Sequence, residues 1–330
     1  MKGLELSRQY YETLGKPLLE ERFGAAAARF AVGLVGEGSE CFGYDDAISA
    51  DHDYGAGFCI WLTREDYEAI GEQVQQAYDT LPGTFLGVPA RKETAMAGKR
   101  VGVLEIQSFY ARFVGRYQPP QTMLEWLYLR EDKLASAVNG AVFADPLGEF
   151  SRIRSQLARY YPEDVRIKKI AARCAVMAQA GQYNYARCMR RGDVVAAELA
   201  LHEFLKAALS LVYLLNRTYC PYYKWQFYGL KRMMEENTGS FVLSGAVHQL
   251  EQLVETGQQR DAWGQPGENP YVNLRDKKVA IVERVCAMAA AELRNQGLTG
   301  REDAFLQAHL GDIMGCIRDP ELRRCHVLEG

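Results

Sequence analysis

The chain has no apolar run approaching the roughly 18 residues needed to span a bilayer, so none of its 330 residues is expected to cross a membrane. Its opening, MKGLELSRQYYETLG, lacks the apolar core of a signal peptide and reads as an amphipathic helix, which predicts a cytoplasmic protein. Neither sign of charge dominates. With 39 Lys and Arg against 42 Asp and Glu, the formal net charge of -3 argues against generic nucleic-acid binding. No CxxC pair occurs among the eight cysteines. Cys59, Cys174 and Cys286 fall in apolar or helical contexts, where a reduced thiol behaves as a small core residue. Cys316, Cys325 and His326 lack the paired spacing of a structural zinc site. There is no GxxxxGK[ST], and after Gly36 and Gly38 the third glycine of a dinucleotide fingerprint is replaced by Cys41, which excludes P-loop kinases and dinucleotide enzymes. None of His202, His248, His309 and His326 follows an arginine by four to six residues, which disfavours a helical ribonuclease built on such a pair.

What is present is an ordinary globular composition, 48% hydrophobic and 25% charged, in a chain long enough for about two domains. The densest pattern runs from Val32 to Leu62. Two short apolar runs bounded by glycines read as buried strands. Between them lie Gly36, Glu37, Gly38 and Ser39, then eleven residues beginning with Glu40, then Asp51, His52 and Asp53. In an extended segment a period of two puts Asp51 and Asp53 on one face, and like charges held so close repel unless a cation or proton separates them. Hard oxygen ligands of that kind suit Mg2+ or Mn2+. The glycine turn would supply backbone N–H groups for a phosphate. The same DxD also fits a turn whose side chains cap backbone N–H groups.

In this ordered set the chain resembles the DNA polymerase beta-like nucleotidyltransferase superfamily, Gly38, Ser39, Asp51 and Asp53 matching its motif one for one. The wording GEGSECFGYDDAISADHD, and the helical half beyond it, further resembles a bacterial family known as domain of unknown function 4037. The resemblance implies an α/β nucleotidyltransferase-type mixed sheet domain followed by an all-α helical bundle that completes the cleft. It implies two metal ions on three carboxylates, and a nucleoside triphosphate, ATP foremost, as co-substrate. Its nucleoside monophosphate would pass to a hydroxyl of a small molecule, or less readily of a protein, with nucleic acid the least favoured acceptor. Ser39 and neighbouring N–H groups would hold the outer phosphates. Two departures stand out: His52 replaces an apolar residue, and Glu37 and Glu40 add negative charge where triphosphate should land. They favour the alternative of a non-catalytic nucleotide-binding or regulatory protein that retains the fold, and a structural partner in a larger complex is a third reading.

The third carboxylate is expected at Glu105, the one acid in the strand candidate KRVGVLEI, which otherwise would pair with Arg100 or Arg112 or face solvent. Thr63 reads as the cap of a helix stopped by Pro82. Residues 83–98 read as a loop, and Phe109 to Tyr117 as a short helix ended by Pro119 and Pro120. From Thr122 onward only helical patterns follow, which places the boundary near Pro119 and divides the chain into 1–118 and 119–330. Gly257 to Tyr271 is the clearest loop of the second half. Its first third is basic, from Arg152 to Arg173, with most of those cations read as solvated or paired with nearby acids. Lys224, set among aromatics in NRTYCPYYKWQFYGLKRM, and Tyr183, Tyr185 and Arg187 in GQYNYARCMRRGD are the candidates for contacting the co-substrate, against the blander reading of aromatic core.

Overall fold

Two apolar tetrapeptides, β1 (Ala31–Leu34) and β2 (Cys59–Leu62), pair antiparallel with Val32 opposite Ile60. They belong to a computed structural model of the protein that describes residues 1–49, 54–91, 98–257 and 273–330. Asp51, His52 and Asp53 lie outside the described residues, as does nearly all of the loop read at 257–271. After Thr63, whose hydroxyl accepts from the Asp66 N–H at 3.1 Å, comes the helix Arg64–Asp79. The stretch read as loop holds a small antiparallel hairpin, β3 (Thr84–Phe85) and β4 (Val88–Pro89). Next, β5 (Gly102–Glu105) joins β2 in parallel.

The fourth strand of the main sheet arrives late. β6 (Ala141–Ala144) pairs antiparallel with β1, so the order is β5-β2-β1-β6. Only helices were expected after Thr122. AVFA is too short to carry its own period, and its strand character comes from pairing with β1. The approach is close: a side chain at Gly140 would run into the Leu34 carbonyl, and Gly140 has φ +64°. By contacts the first compact unit comprises Met1–Pro120 and Leu129–Tyr160.

Both faces of this sheet are covered. On one, Phe58, Ile60, Leu62, Val32 and Val103 pack with Leu6, Tyr10, Tyr11, Leu19 and Val74. The Tyr10 and Tyr11 rings meet Phe58 edge-on. On the other, Trp61 stacks on Phe150 with ring centroids 3.8 Å apart, and Phe109 stands edge-on to Trp61. Phe150 belongs to the helix Glu149–Ala158, so the chain following β6 seals the face that β2 turns away from the N-terminal helices.

The second unit, Gln121–Tyr128 with Tyr161–Gly330, is helical. The helix Glu163–Met177 continues as a π-helix over Ala178–Tyr185, and both pack along the long apolar helix Val194–Leu215. No helix among the described residues is long and apolar enough to cross a membrane. Basic residues of Glu163–Met177 were expected to be solvated or paired with nearby acids; Arg166, Lys168 and Lys169 are all buried, and of these Arg166 is paired with an acid. Arg166 is held by Glu163, which also accepts two hydrogen bonds from Arg217.

That clamp should be visible in acid. The hydrogen bond from Arg166 above all, joined by Arg217 and opposed by partial burial, brings the Glu163 carboxyl down to about 2. A depressed carboxyl stabilises the fold while it is ionised, so the contribution is complete above the ordinary carboxylate range and is lost as pH falls toward about 2. Glu163→Gln is expected to be less stable than the wild type near neutrality, the two denaturation midpoints converging as the pH drops from about 5 to about 2. Parallel curves through that window would show that Glu163 carries no such linkage.

Candidate functional site

The glycine turn leaves the end of β1 and doubles back on itself, with φ +127° at Gly36 and +141° at Gly38. Such angles suit only glycine. Gly36 is clasped by Asn139, just ahead of β6. The Gly36 N–H donates to Asn139 Oδ1 at 2.9 Å, and Asn139 Nδ2 donates back to the Gly36 carbonyl at 2.8 Å. Ser39 opens a single 3-10 turn, Glu40–Phe42, and its carbonyl accepts from the N–H groups of Phe42 and Tyr44. Three residues are too few to build the aligned dipole of a phosphate-binding helix.

Both acids of the turn are engaged by cations of the same unit. Glu37 pairs with Lys133 at 2.6 Å. Burial pushes its carboxyl up, but the Lys133 hydrogen bond and the charges of Lys133, Arg100 and Arg112 outweigh this and hold it below the usual range. Glu40 is buried and ion-paired with Arg91, whose side chain is only 4% exposed. Burial opposes the Arg91 charge, and the charge and hydrogen bond of Glu40 prevail, keeping the guanidinium ionised. The Glu40 carboxylate lies over Gly38, where a side chain would collide with it. Beside the turn, the pocket lined by Gly36, Glu37, Cys41, Arg91, Arg100 and Arg112 has a volume of about 10 Å³. That is room for about one water molecule.

Glu105 ends β5 as expected, and its carboxylate caps the helix Ile106–Val114, accepting from the N–H groups of Gln107 (2.8 Å) and Ser108 (2.6 Å). A carboxylate at a helix N-terminus is stabilised by the unpaired N–H groups there. This gives Glu105 a local role that neither the metal-ligand expectation nor its arginine-paired alternative foresaw.

The expectation of Mg2+ or Mn2+, and of ATP bound through it, is corrected. Among the described residues no three His, Cys, Asp or Glu side chains are grouped so as to hold a metal ion. The acids nearest the turn face cations of the protein, and Glu105 faces backbone N–H groups. Among the described residues the turn thus offers no group that would hold magnesium, another metal, or ATP through one.

The candidates in the helical unit are separated in character. Tyr185 is fully buried and its hydroxyl donates to Asp276 at 2.9 Å. Burial first, and then Asp276, push that phenol well up. Tyr183, two residues earlier in the π-helix, is exposed, with the Arg187 guanidinium 4.6 Å from its ring centre. Lys224 lies in the 3-10 turn Tyr223–Trp225 and is exposed rather than embedded, its ammonium 5.1 Å from the centre of the Trp225 ring. A cation over the face of an indole is attracted by the ring quadrupole.

Sequence reasoning did not reach Arg91, Lys133 or Asn139. The available signal was the pair Glu37 and Glu40: a carboxylate that is to be buried needs a cation, but nothing local says which one.

No curated protein and no solved structure matches the chain. Residues 126–226 match the family described as Domain of unknown function (DUF4037). The matched span covers less than a third of the chain and does not include Gly38, Ser39, Asp51 or Asp53. The likeness to that family thus rests on the stretch from the helix Met123–Leu127, through β6, to the start of the helix Gln226–Glu236.

Proposed function

We propose that the chain is a regulatory protein without turnover, built on a nucleotidyltransferase-type arrangement in its first unit. The observation that carries this reading is the buried Glu40–Arg91 pair lying over Gly38. A turn that cradles phosphates must offer free N–H groups and tolerate incoming negative charge. Here a carboxylate of the protein already lies against Gly38, and its countercharge is supplied by Arg91. Lys133 serves Glu37 in the same way, and Asn139 takes the Gly36 N–H. On this reading the resemblance to the polymerase beta-like superfamily is one of framework, and the protein acts through what its surfaces bind.

The competing reading is an enzyme that transfers a nucleoside monophosphate to a hydroxyl, and it is separable by one experiment. The purified full chain is incubated with nucleoside triphosphates labelled at the α phosphate, a divalent cation, and fractionated small-molecule and protein acceptors. The expected result is no transfer of label, with hydrogen exchange over residues 36–43 unchanged by the triphosphate. Label on any acceptor, lost in Asp53→Ala, would overturn the regulatory reading.

A further inference from the structure

The π-helix Ala178–Tyr185 runs on into the helix Ala186–Arg190, which ends on arginines. Arg187, Arg190 and Arg191 lie three and four positions apart, the spacing that sets side chains next to one another on one helix face. Basic residues at a helix C-terminus ordinarily serve its last carbonyls. Here the main chain does that. The Arg191 N–H donates to the carbonyls of Arg187 (3.2 Å) and Cys188 (3.1 Å), the Gly192 N–H to that of Met189 (3.0 Å) and the Asp193 N–H to that of Cys188 (3.0 Å). Nor is countercharge supplied locally, since no acid occurs in the sequence between Asp164 and Asp193. Asp193 accepts from the Ala196 N–H at 3.0 Å, and Glu198 accepts from Lys278 at 2.7 Å. Among the described residues no carboxylate is ion-paired with Arg187, Arg190 or Arg191. Like charges at this spacing repel one another, so the cluster does nothing for the stability of its own helix.

The Arg187 guanidinium lies over the Tyr183 ring, 4.6 Å from its centre. Stacking occupies the face of the group and leaves its in-plane N–H donors to grip a carboxylate at the edge. Just past Gly192, Val195 and Leu199 stand four positions apart at the start of the helix Val194–Leu215, and they are 73% and 64% exposed, whereas Ala207 to Leu215 of the same helix are all buried. Residues 183–199 thus carry three cations without countercharge and two aliphatic side chains without cover.

Three cations fall short of the cluster of about four to eight that holds a segment on an anionic membrane, and a formal net charge of -3 opposes binding to nucleic acid. An acidic protein segment with apolar residues between its acids answers both halves of the surface. We propose that residues 183–199 dock such a segment of a partner protein, Arg187, Arg190 and Arg191 taking its carboxylates and Val195 and Leu199 its apolar side chains. The proposal rests on the reading that the protein acts through what its surfaces bind, but it uses no residue of the glycine turn.

The test uses the full chain and a short fluorescent peptide of repeated Glu-Glu-Leu, with a Gln-Gln-Leu peptide, phosphatidylserine vesicles and a single-stranded oligonucleotide alongside. Saturable binding of the Glu peptide is expected, weakening as salt is raised, with the Gln peptide bound at least about tenfold less tightly. Arg190→Glu combined with Arg191→Glu, both at exposed positions, is expected to keep the wild-type melting temperature, lose the Glu peptide and gain a Lys-Lys-Leu peptide. Should that chain melt early, Arg190→Gln with Arg191→Gln takes its place, and loss of the Glu peptide is the readout. Leu199→Asp is expected to weaken the Glu peptide by at least about tenfold. The proposal is overturned by absence of saturable binding, by equal binding of the Glu and Gln peptides, by binding that survives the arginine variants or Leu199→Asp, or by preference for the vesicles or the oligonucleotide. None of these outcomes alters the result of the label-transfer experiment, so the two readings fail separately.

Discussion

Arg91→Met is expected to destabilise the sheet unit by about 3–5 kcal/mol, the cost of leaving one partner of a buried ion pair without its countercharge. Glu40 is buried over Gly38 with Arg91 as its ion-pair partner. The double variant Glu40→Gln/Arg91→Met removes both charges and should recover most of the loss, because an ion pair replaced by neutral groups is often close to isoenergetic. Urea denaturation read through hydrogen exchange at the amides of β1 and β2 follows the relevant unit without assuming that the whole chain unfolds in one step. If Arg91→Met costs less than about 1 kcal/mol, the pair is solvated in practice and cannot be what closes the turn.

A loss of similar size is expected from Phe150→Ala. Phe150 and Trp61 are both fully buried and stacked, so truncation leaves a cavity against the indole as well as removing the transfer free energy of the ring. Phenylalanine to alanine in such a setting costs about 3–5 kcal/mol. Phe150→Leu, which refills much of the volume, should restore a large part of it. Trp61 fluorescence should shift to the red in the alanine variant as water reaches the ring. An unshifted spectrum and unchanged β2 exchange would mean that Glu149–Ala158 is not part of the sheet's core.

The elements that could be read in advance are those whose signal is local. β1 and β2 announce themselves as short apolar runs between glycines, β5 as the apolar stretch in KRVGVLEI, and Thr63 and Pro82 punctuate one helix at both ends. β6 could not be read, because a four-residue strand has no period of its own and is specified by Val32 and Leu34 more than a hundred residues earlier. The site was legible only as a question. Glu37 and Glu40 stood out as misplaced charge, but their partners Lys133 and Arg91 are brought to them by tertiary structure. Lys168 was one cation in a basic stretch, and its burial depends on where residues 326–330 lie. Conversely, Lys224 was judged by its aromatic neighbours in sequence, which are too close along the chain to bury it: it stands at the surface over Trp225.

The position of β6 also dictates the order in which the chain can be assembled on the ribosome. Residues 1–105 contain three strands of the sheet, yet β1 keeps a bare edge and Trp61 a bare face until residues 141–150 have emerged. During that interval the nascent chain displays an unpaired strand edge and an aromatic face that Phe109 meets but Phe150 has yet to cover, features prone to wrong pairing. Completion of the first unit is therefore expected to wait for translation through Phe150, and a premature stop between Gly115 and Gly140 is expected to leave an aggregation-prone fragment rather than a smaller domain.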